Sequence, residues 1–212
     1  SKRRVMASYI ERAELLKKQL TKEGNLEEAQ KADEFAKEIA AELNTGDIRG
    51  VLWELKSAND FQLVRDCSAE FNGKSWKLTS PHKHLSFLDT SELFSPPFLV
   101  AARVGTDSIG LRFYFAGQEV VIFNWESTPT ELRIKRPRDR KAVGIRDQGF
   151  IENNRLHEVE IEMLANRIRV LVNGDVRGEV DGDFSDLKGS FGVGPANGST
   201  ITLEMFQVRQ PD

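Results

Sequence analysis

Cysteine is almost absent from this chain. Cys67 stands alone among 212 residues, which excludes an internal disulfide and every metal site built from several thiolates. A lone thiol of this kind is expected as a small buried hydrophobe. No apolar run approaches the roughly 18 residues that a membrane-spanning helix needs. Excess basic charge is missing too: 30 Lys and Arg stand against 33 Asp and Glu, a net charge of −3. Nothing in that balance calls for nucleic acid or an anionic membrane. Proline is missing from the first 44 residues, which hold a single glycine, Gly24. Also missing are a Gly-rich phosphate loop ahead of a helix and a Ser or Cys in a nucleophile setting. Ser1 is not an initiator methionine, so the chain reads as an engineered fragment from which any targeting segment has been removed.

Two composition regimes are present, and the change between them at Thr45-Gly46-Asp47 marks a domain boundary, with residues 1–45 on one side and 46–212 on the other. In the first regime Met6, Tyr9, Ala13, Leu16 and Leu20 fall on one helical stripe, and Ala29, Ala32, Ala36, Ile39 and Leu43 repeat that spacing. Gly24 suits the left-handed position past a helix end, and Asn25 with Glu28 forms a capping-box-like restart. The segment is therefore expected to be an antiparallel helical hairpin with a seam of small residues. It either packs on its own β domain or serves self-association or docking to a protein partner.

From residue 46 onward the pattern is period 2 with Gly, Pro and Asn between short runs, and no βαβ rhythm. This predicts an antiparallel sandwich. Strands are expected over Val51–Leu55, Phe61–Asp66, Ser75–Thr79, Leu85–Leu88, Phe98–Val104, Ile109–Phe115 and Glu119–Phe123. Further ones are expected over Glu131–Ile134, His157–Met163, Ile168–Val172, Val176–Val180, Ser190–Val193 and Ile201–Val208. Asn173-Gly174 is a strong hairpin signal, because a tight primed turn needs positive φ at both central residues. Trp53 and Trp76 alternate with Glu54 and Lys77 and are expected in the core.

The run from Asn154 through His157-Glu158-Val159-Glu160-Ile161-Glu162-Met163 to Val170-Leu171-Val172-Asn173-Gly174 resembles the laminin-G-like, concanavalin A-like sandwich. So does the chain end, with its Phe191-Gly192-Val193-Gly194 turn and a last strand carrying Thr202-Leu203-Glu204-Met205-Phe206-Gln207-Val208. The resemblance covers about residues 47 to 210. It implies a two-sheet jelly roll whose last strand returns near the first, in a family known for lectins, sugar-binding modules and β-glucanases. By that resemblance the protein is expected to be a non-catalytic, lectin-like carbohydrate-binding module of a larger, extracellular or periplasmic bacterial protein; the alternatives are a laminarinase-like glycoside hydrolase and a structural or interaction scaffold with no sugar site.

Three sites follow from residue types. Laminarinase-type glucanases of this fold carry Glu-x-Asp-x-Glu on one strand, so resemblance casts Glu158 as nucleophile and Glu162 as acid/base of a glycoside hydrolase, with Glu160 in the central position. Alternate strand residues share a face, and retaining chemistry needs its carboxyl groups about 5–5.5 Å apart. The plainer reading is three glutamates on the wet face of a half-buried strand. A sugar platform is drawn from Arg112, Tyr114, Asn124, Trp125 and Glu126, which bring an aromatic face and planar polar groups into one hairpin. Its alternative is that Arg112 pairs with Glu126 or Glu119 and Trp125 plugs the sandwich edge. Asp181, Asp183 and Asp186 are a candidate calcium loop, although the distal Glu and the Gly of a full EF-hand are missing, and the plainer reading is an ordinary solvated turn with no metal. No other cofactor is expected. His82, His84 and His157 do not have the spacing of a metal set. The basic run Arg133, Lys135, Arg136, Arg138, Arg140 and Lys141 reads as an exposed hairpin loop.

Overall fold

A computed structural model describes residues 12–13, 15–44, 50–81, 86–137, 141–196 and 198–211. The chain divides into two compact units, residues 1–50 and 51–212. In the first, α1 is helical over 15–22 and α2 spans Leu26–Asn44. Between them Gly24 takes φ 77°, and the Asn25 side chain accepts the Glu28 N–H at 3.4 Å. Ala13, Ala29, Ala32 and Ala36 are buried, and Lys17 of α1 pairs with Asp33 of α2 at 2.5 Å. Small side chains let the two helices approach, so alanine forms the seam. Leu16, expected on the stripe, is 49 % exposed instead. Met6 and Tyr9 lie outside the described residues, as do the side chains of Ile39 and Leu43.

The second unit is all β. Its strands are β1 (Val51–Glu54), β2 (Phe61–Val64), β3 (Ser68–Phe71), β4 (Trp76–Thr79), β5 (Phe87–Thr90), β6 (Phe98–Thr106), β7 (Leu111–Phe115) and β8 (Gln118–Phe123). They continue as β9 (Leu132–Lys135), β10 (Ala142–Ile145), β11 (His157–Met163), β12 (Arg167–Val172), β13 (Asp175–Asp181), β14 (Phe191–Gly194) and β15 (Thr200–Arg209). One sheet runs β13-β12-β11-β6-β15-β4-β3, with β1 also on β15; the other runs β10-β9-β8-β7-β14-β5-β2. All pairings are antiparallel, and the last strand pairs with the first, Trp53 opposite Val208. β3 and β10 were not expected as strands, and β5 sits two residues later than the alternation suggests.

Alternation buries one face of each sheet against the other. Phe98 of the first sheet meets Phe115 and Phe191 of the second at ring-centre distances of 5.6 and 6.0 Å, and Phe191 meets Phe206 at 6.4 Å. Aromatic pairs in such offset and edge geometries stabilise beyond the area they bury, by about 0.5–1.5 kcal/mol each. Trp53 is buried in this core, Trp76 packs on it partly exposed, and burial pushes the Cys67 thiol up to about 11, as suits an inert interior cysteine. The β12–β13 hairpin turns at Asn173 and Gly174 with φ 53° and 82°. Asn173 Oδ1 accepts the Glu158 N–H at 3.0 Å, and its Nδ2 lies 3.2 Å from His157 Nδ1, while His157 Nε2 lies 3.3 Å from the Glu152 carbonyl. His157 is thus a partnered interior group. His82 and His84 lie outside the described residues.

Candidate functional site

The outer face of the second sheet carries the polar residues that sequence reasoning gathered into one hairpin, and adds others. Residues directly opposite each other in a ladder share a face. One such row crosses four strands as Asp89, Gly192, Tyr114 and Glu119; the next crosses four as Gly194, Arg112, Ile122 and Arg133. Alternation sends the residues between them, Leu88, Val193, Phe113 and Val121, into the core. Lys135 extends the face because it follows Arg133 by two positions on β9.

The two glycines are required by packing. A Cβ at Gly192 would lie 2.7 Å from the Leu88 carbonyl oxygen and from the Phe87 ring, and one at Gly194 would lie 2.2 Å from the Ser86 carbonyl oxygen. Phe87 stacks on Tyr114 with ring centres 4.0 Å apart.

Charge on this face is organised around Arg112, which donates to both Glu119 and Glu126, while Lys135 donates to Glu119. Burial works against the charge on Arg112, but the two carboxylates outweigh it and raise its pKa further. Burial likewise opposes the charge on Glu119, yet Lys135 and Arg112 together hold it below the ordinary carboxylate range. Asp89 differs: burial raises its pKa against the opposing hydrogen bonds from Ser190 and the Thr90 backbone. At the rim, the Arg133 guanidinium covers the half-buried Trp125 ring at 3.9 Å. Four buried polar atoms have no hydrogen-bond partner among the described residues: Asp89 Oδ1, Arg112 Nε, Tyr114 OH and Arg133 Nε. All four belong to the two rows just described. Buried polar groups are nearly always satisfied, so such a concentration marks a place where water or a ligand supplies the partner.

Of the five platform residues, the structure brings Arg112, Trp125 and Glu126 together on this face. It does not leave all five open. Tyr114 is fully enclosed, and Arg112 is buried between its carboxylates. Asn124 is buried with φ 47°; its side chain exchanges two hydrogen bonds of 2.9 Å with the Ile151 backbone, which makes it the turn that presents Trp125. The basic run is not simply a loop either: Arg133 and Lys135 belong to β9 and are half-buried on the site, whereas Arg138 and Arg140 lie outside the described residues. Asp89, Glu119, Arg133 and Lys135 were missed as site residues, although the alternation Leu132-Arg133-Ile134-Lys135 carried the signal for the last two.

Glu158, Glu160 and Glu162 stand on the outer face of the first sheet, opposite Arg103, Ala101 and Leu99, with Glu162 paired to Arg169 at 3.3 Å. Their cross-strand neighbours include no aromatic residue. Two carboxylates of the candidate calcium loop are engaged in local contacts. Asp183 Oδ1 is taken by the Ser185 N–H and hydroxyl, and Asp181 accepts from Arg167 Nε at 3.2 Å. No group of three or more His, Cys, Asp or Glu among the described residues is placed to hold a metal.

The fold has solved counterparts. A protein of unknown function with a galectin-like fold from Bacillus subtilis matches with a TM-score of 0.62 at 12% identity, over 76% of this chain and 96% of its own. A prokaryotic β-1,3-1,4-glucanase (lichenase) derived from a mouse hindgut metagenome matches at 0.59 and 11% identity, over 76% and 100%. The carbohydrate-binding module CBM66 from Bacillus subtilis matches at 0.51 and 12% identity, over 71% and 95%. No protein family matches the chain, and no curated protein does. The β unit is a concanavalin A-like jelly-roll sandwich, preceded in the chain by two helices.

Proposed function

We propose that the sandwich is a non-catalytic carbohydrate-recognition module, and that its ligand face is the outer face of the second sheet beside Trp125. The concentration on that one face of buried polar atoms without a hydrogen-bond partner carries the reading, since a polyol offers donors and acceptors together; of the four, Arg133 Nε has a charge nearby, Glu131 Oε1 at 3.6 Å. The half-buried Trp125 ring, next to the part-exposed Glu126 that Arg112 holds in place, supplies an aromatic face and a fixed planar group for a sugar. Solved neighbours whose names give glycan binding or cleavage favour the same class. The carbohydrate-active neighbours also favour a place outside the cytoplasm. No helix among the described residues is long and apolar enough to cross a membrane. The helical unit is assigned to self-association or to docking of a protein partner.

Recognition without hydrolysis is favoured over a glycoside hydrolase because Glu162 is ion-paired to Arg169 and no aromatic residue stands opposite Glu158 or Glu162 on the neighbouring strands. The test is a glycan-array screen of the protein and of Trp125→Ala. Selective binding that disappears in the variant supports the assignment. Silence of the parent protein across a broad array of neutral and acidic glycans overturns it.

A further inference from the structure

A second polar recess lies on the other sheet. A cleft of about 420 Å³ opens where β6 ends, lined by Lys77, Gly105, Asp107, Arg155, Thr200 and Thr202 among others. Its size falls within the roughly 300–1,000 Å³ typical of small-molecule sites. The floor is one ladder row, Lys77 opposite Thr202 and Thr202 opposite Gly105. The segment that precedes β11 forms a wall. It reaches the floor only because residue 105 lacks a side chain: a Cβ there would lie 2.4 Å from the Arg155 carbonyl oxygen. Asn154, at φ 58°, turns the wall inward and donates its N–H to the Thr106 carbonyl at 2.7 Å.

The chemistry of this recess differs from that of the other face. Lys77 makes no ion pair among the described residues, although Glu70 stands opposite it on β3. Arg155 holds one exposed ion pair, with Glu152 at 2.9 Å, which solvent screens and a ligand displaces at small cost. Asp107 Oδ1 is already held by the Thr200 N–H and the Ser108 hydroxyl, both at 3.0 Å, so this carboxylate is a fixed acceptor for further donors. A bare anion would leave Asp107 facing like charge. A neutral sugar would leave Lys77 without a countercharge. A sugar unit bearing a carboxylate answers both, with its acid toward Lys77 and Arg155 and its hydroxyls toward Asp107 and the threonines.

We propose that this cleft is a second binding site, selective for uronate-type acidic sugar units. It lies on the opposite sheet from the face assigned above and does not depend on that assignment. The test is a nuclear magnetic resonance titration of the full chain with trigalacturonic acid, with neutral galactotriose and sodium acetate as controls. Saturable shifts of the Gly105, Thr106, Asn154 and Thr202 amides with the acidic trimer are expected. Affinity should fall at least tenfold in Lys77→Glu, an exposed substitution. Equal affinity for galactotriose, equal affinity for acetate, an unaltered Lys77→Glu variant, or no shift at these amides would each overturn the proposal.

Discussion

The Arg133 guanidinium lies 3.9 Å from the centre of the Trp125 ring. β9 supplies the arginine and the turn after β8 supplies the tryptophan, so the rim of the candidate site is assembled across two strands. The contact covers part of the indole with a planar cation and stiffens a side chain that would otherwise be a loop residue. Trp125→Ala should therefore reduce glycan affinity at least tenfold at little cost in stability. A half-exposed cation–π pair contributes about 1 kcal/mol or less. Calorimetric binding and thermal unfolding of the same sample separate the two effects. A stability loss of several kcal/mol would instead place Trp125 in the core.

Arg112 is the keystone of its network. Removing it as Arg112→Ala leaves Glu119 buried beside Lys135 alone and Glu126 without its guanidinium, and should destabilise the sandwich by about 3–5 kcal/mol. Denaturant unfolding at pH 7 measures this directly.

The same network predicts a pH dependence. Glu119 is held below its ordinary value of 4.5 in the folded protein, so its contribution is fully present above that value and is lost as pH falls through the lower folded one. Glu119→Gln should flatten the part of the stability curve below about pH 4.5. Asp89 has the opposite sign. Its raised pKa means that ionisation costs the folded state stability as pH rises above the ordinary value of 3.8. Asp89→Asn should raise the melting temperature at pH 7 and leave it unchanged at pH 3, as measured by calorimetry across that range.

Asn173 combines two roles, a left-handed backbone and a side chain that bridges Glu158 N–H and His157 Nδ1. Asn173→Ala loses both and should cost about 1–3 kcal/mol. Asn173→Gly keeps the backbone freedom and should cost less. Equal losses would show that the side-chain bridge alone matters.

In the helical unit, Ala32→Glu places a charge in the alanine seam between α1 and α2. Far-ultraviolet circular dichroism should show reduced helicity, while the β unit's unfolding transition stays in place. An unchanged helical signal would sink the seam assignment.

Much of the sandwich was legible because strand alternation is a local signal, strongest for strands with one face buried and one wet. β11 alternates between buried and half-buried along Val159-Glu160-Ile161-Glu162, and its chemistry says so. The two unexpected strands are those where that signal fails. β3 closes an edge of the first sheet and β10 an edge of the second, and neither strand holds a buried residue. Edge strands lack a full neighbour on one side, so their sequences need not alternate.

By itself, the order of residues determined the helical hairpin, the two-sheet sandwich and the primed turn at Asn173-Gly174, because helix period, strand period and turn chemistry act within a few residues. The site was decided at longer range. Asp89 and Ser190 are 101 positions apart, yet the Ser190 hydroxyl donates to Asp89 Oδ2 at 2.7 Å. That pairing, the enclosure of Tyr114 and the charge balance at Arg112 all depend on which strands become neighbours. Burial then sets how strongly each charge is felt, and burial belongs to the assembled sandwich rather than to any single segment of it.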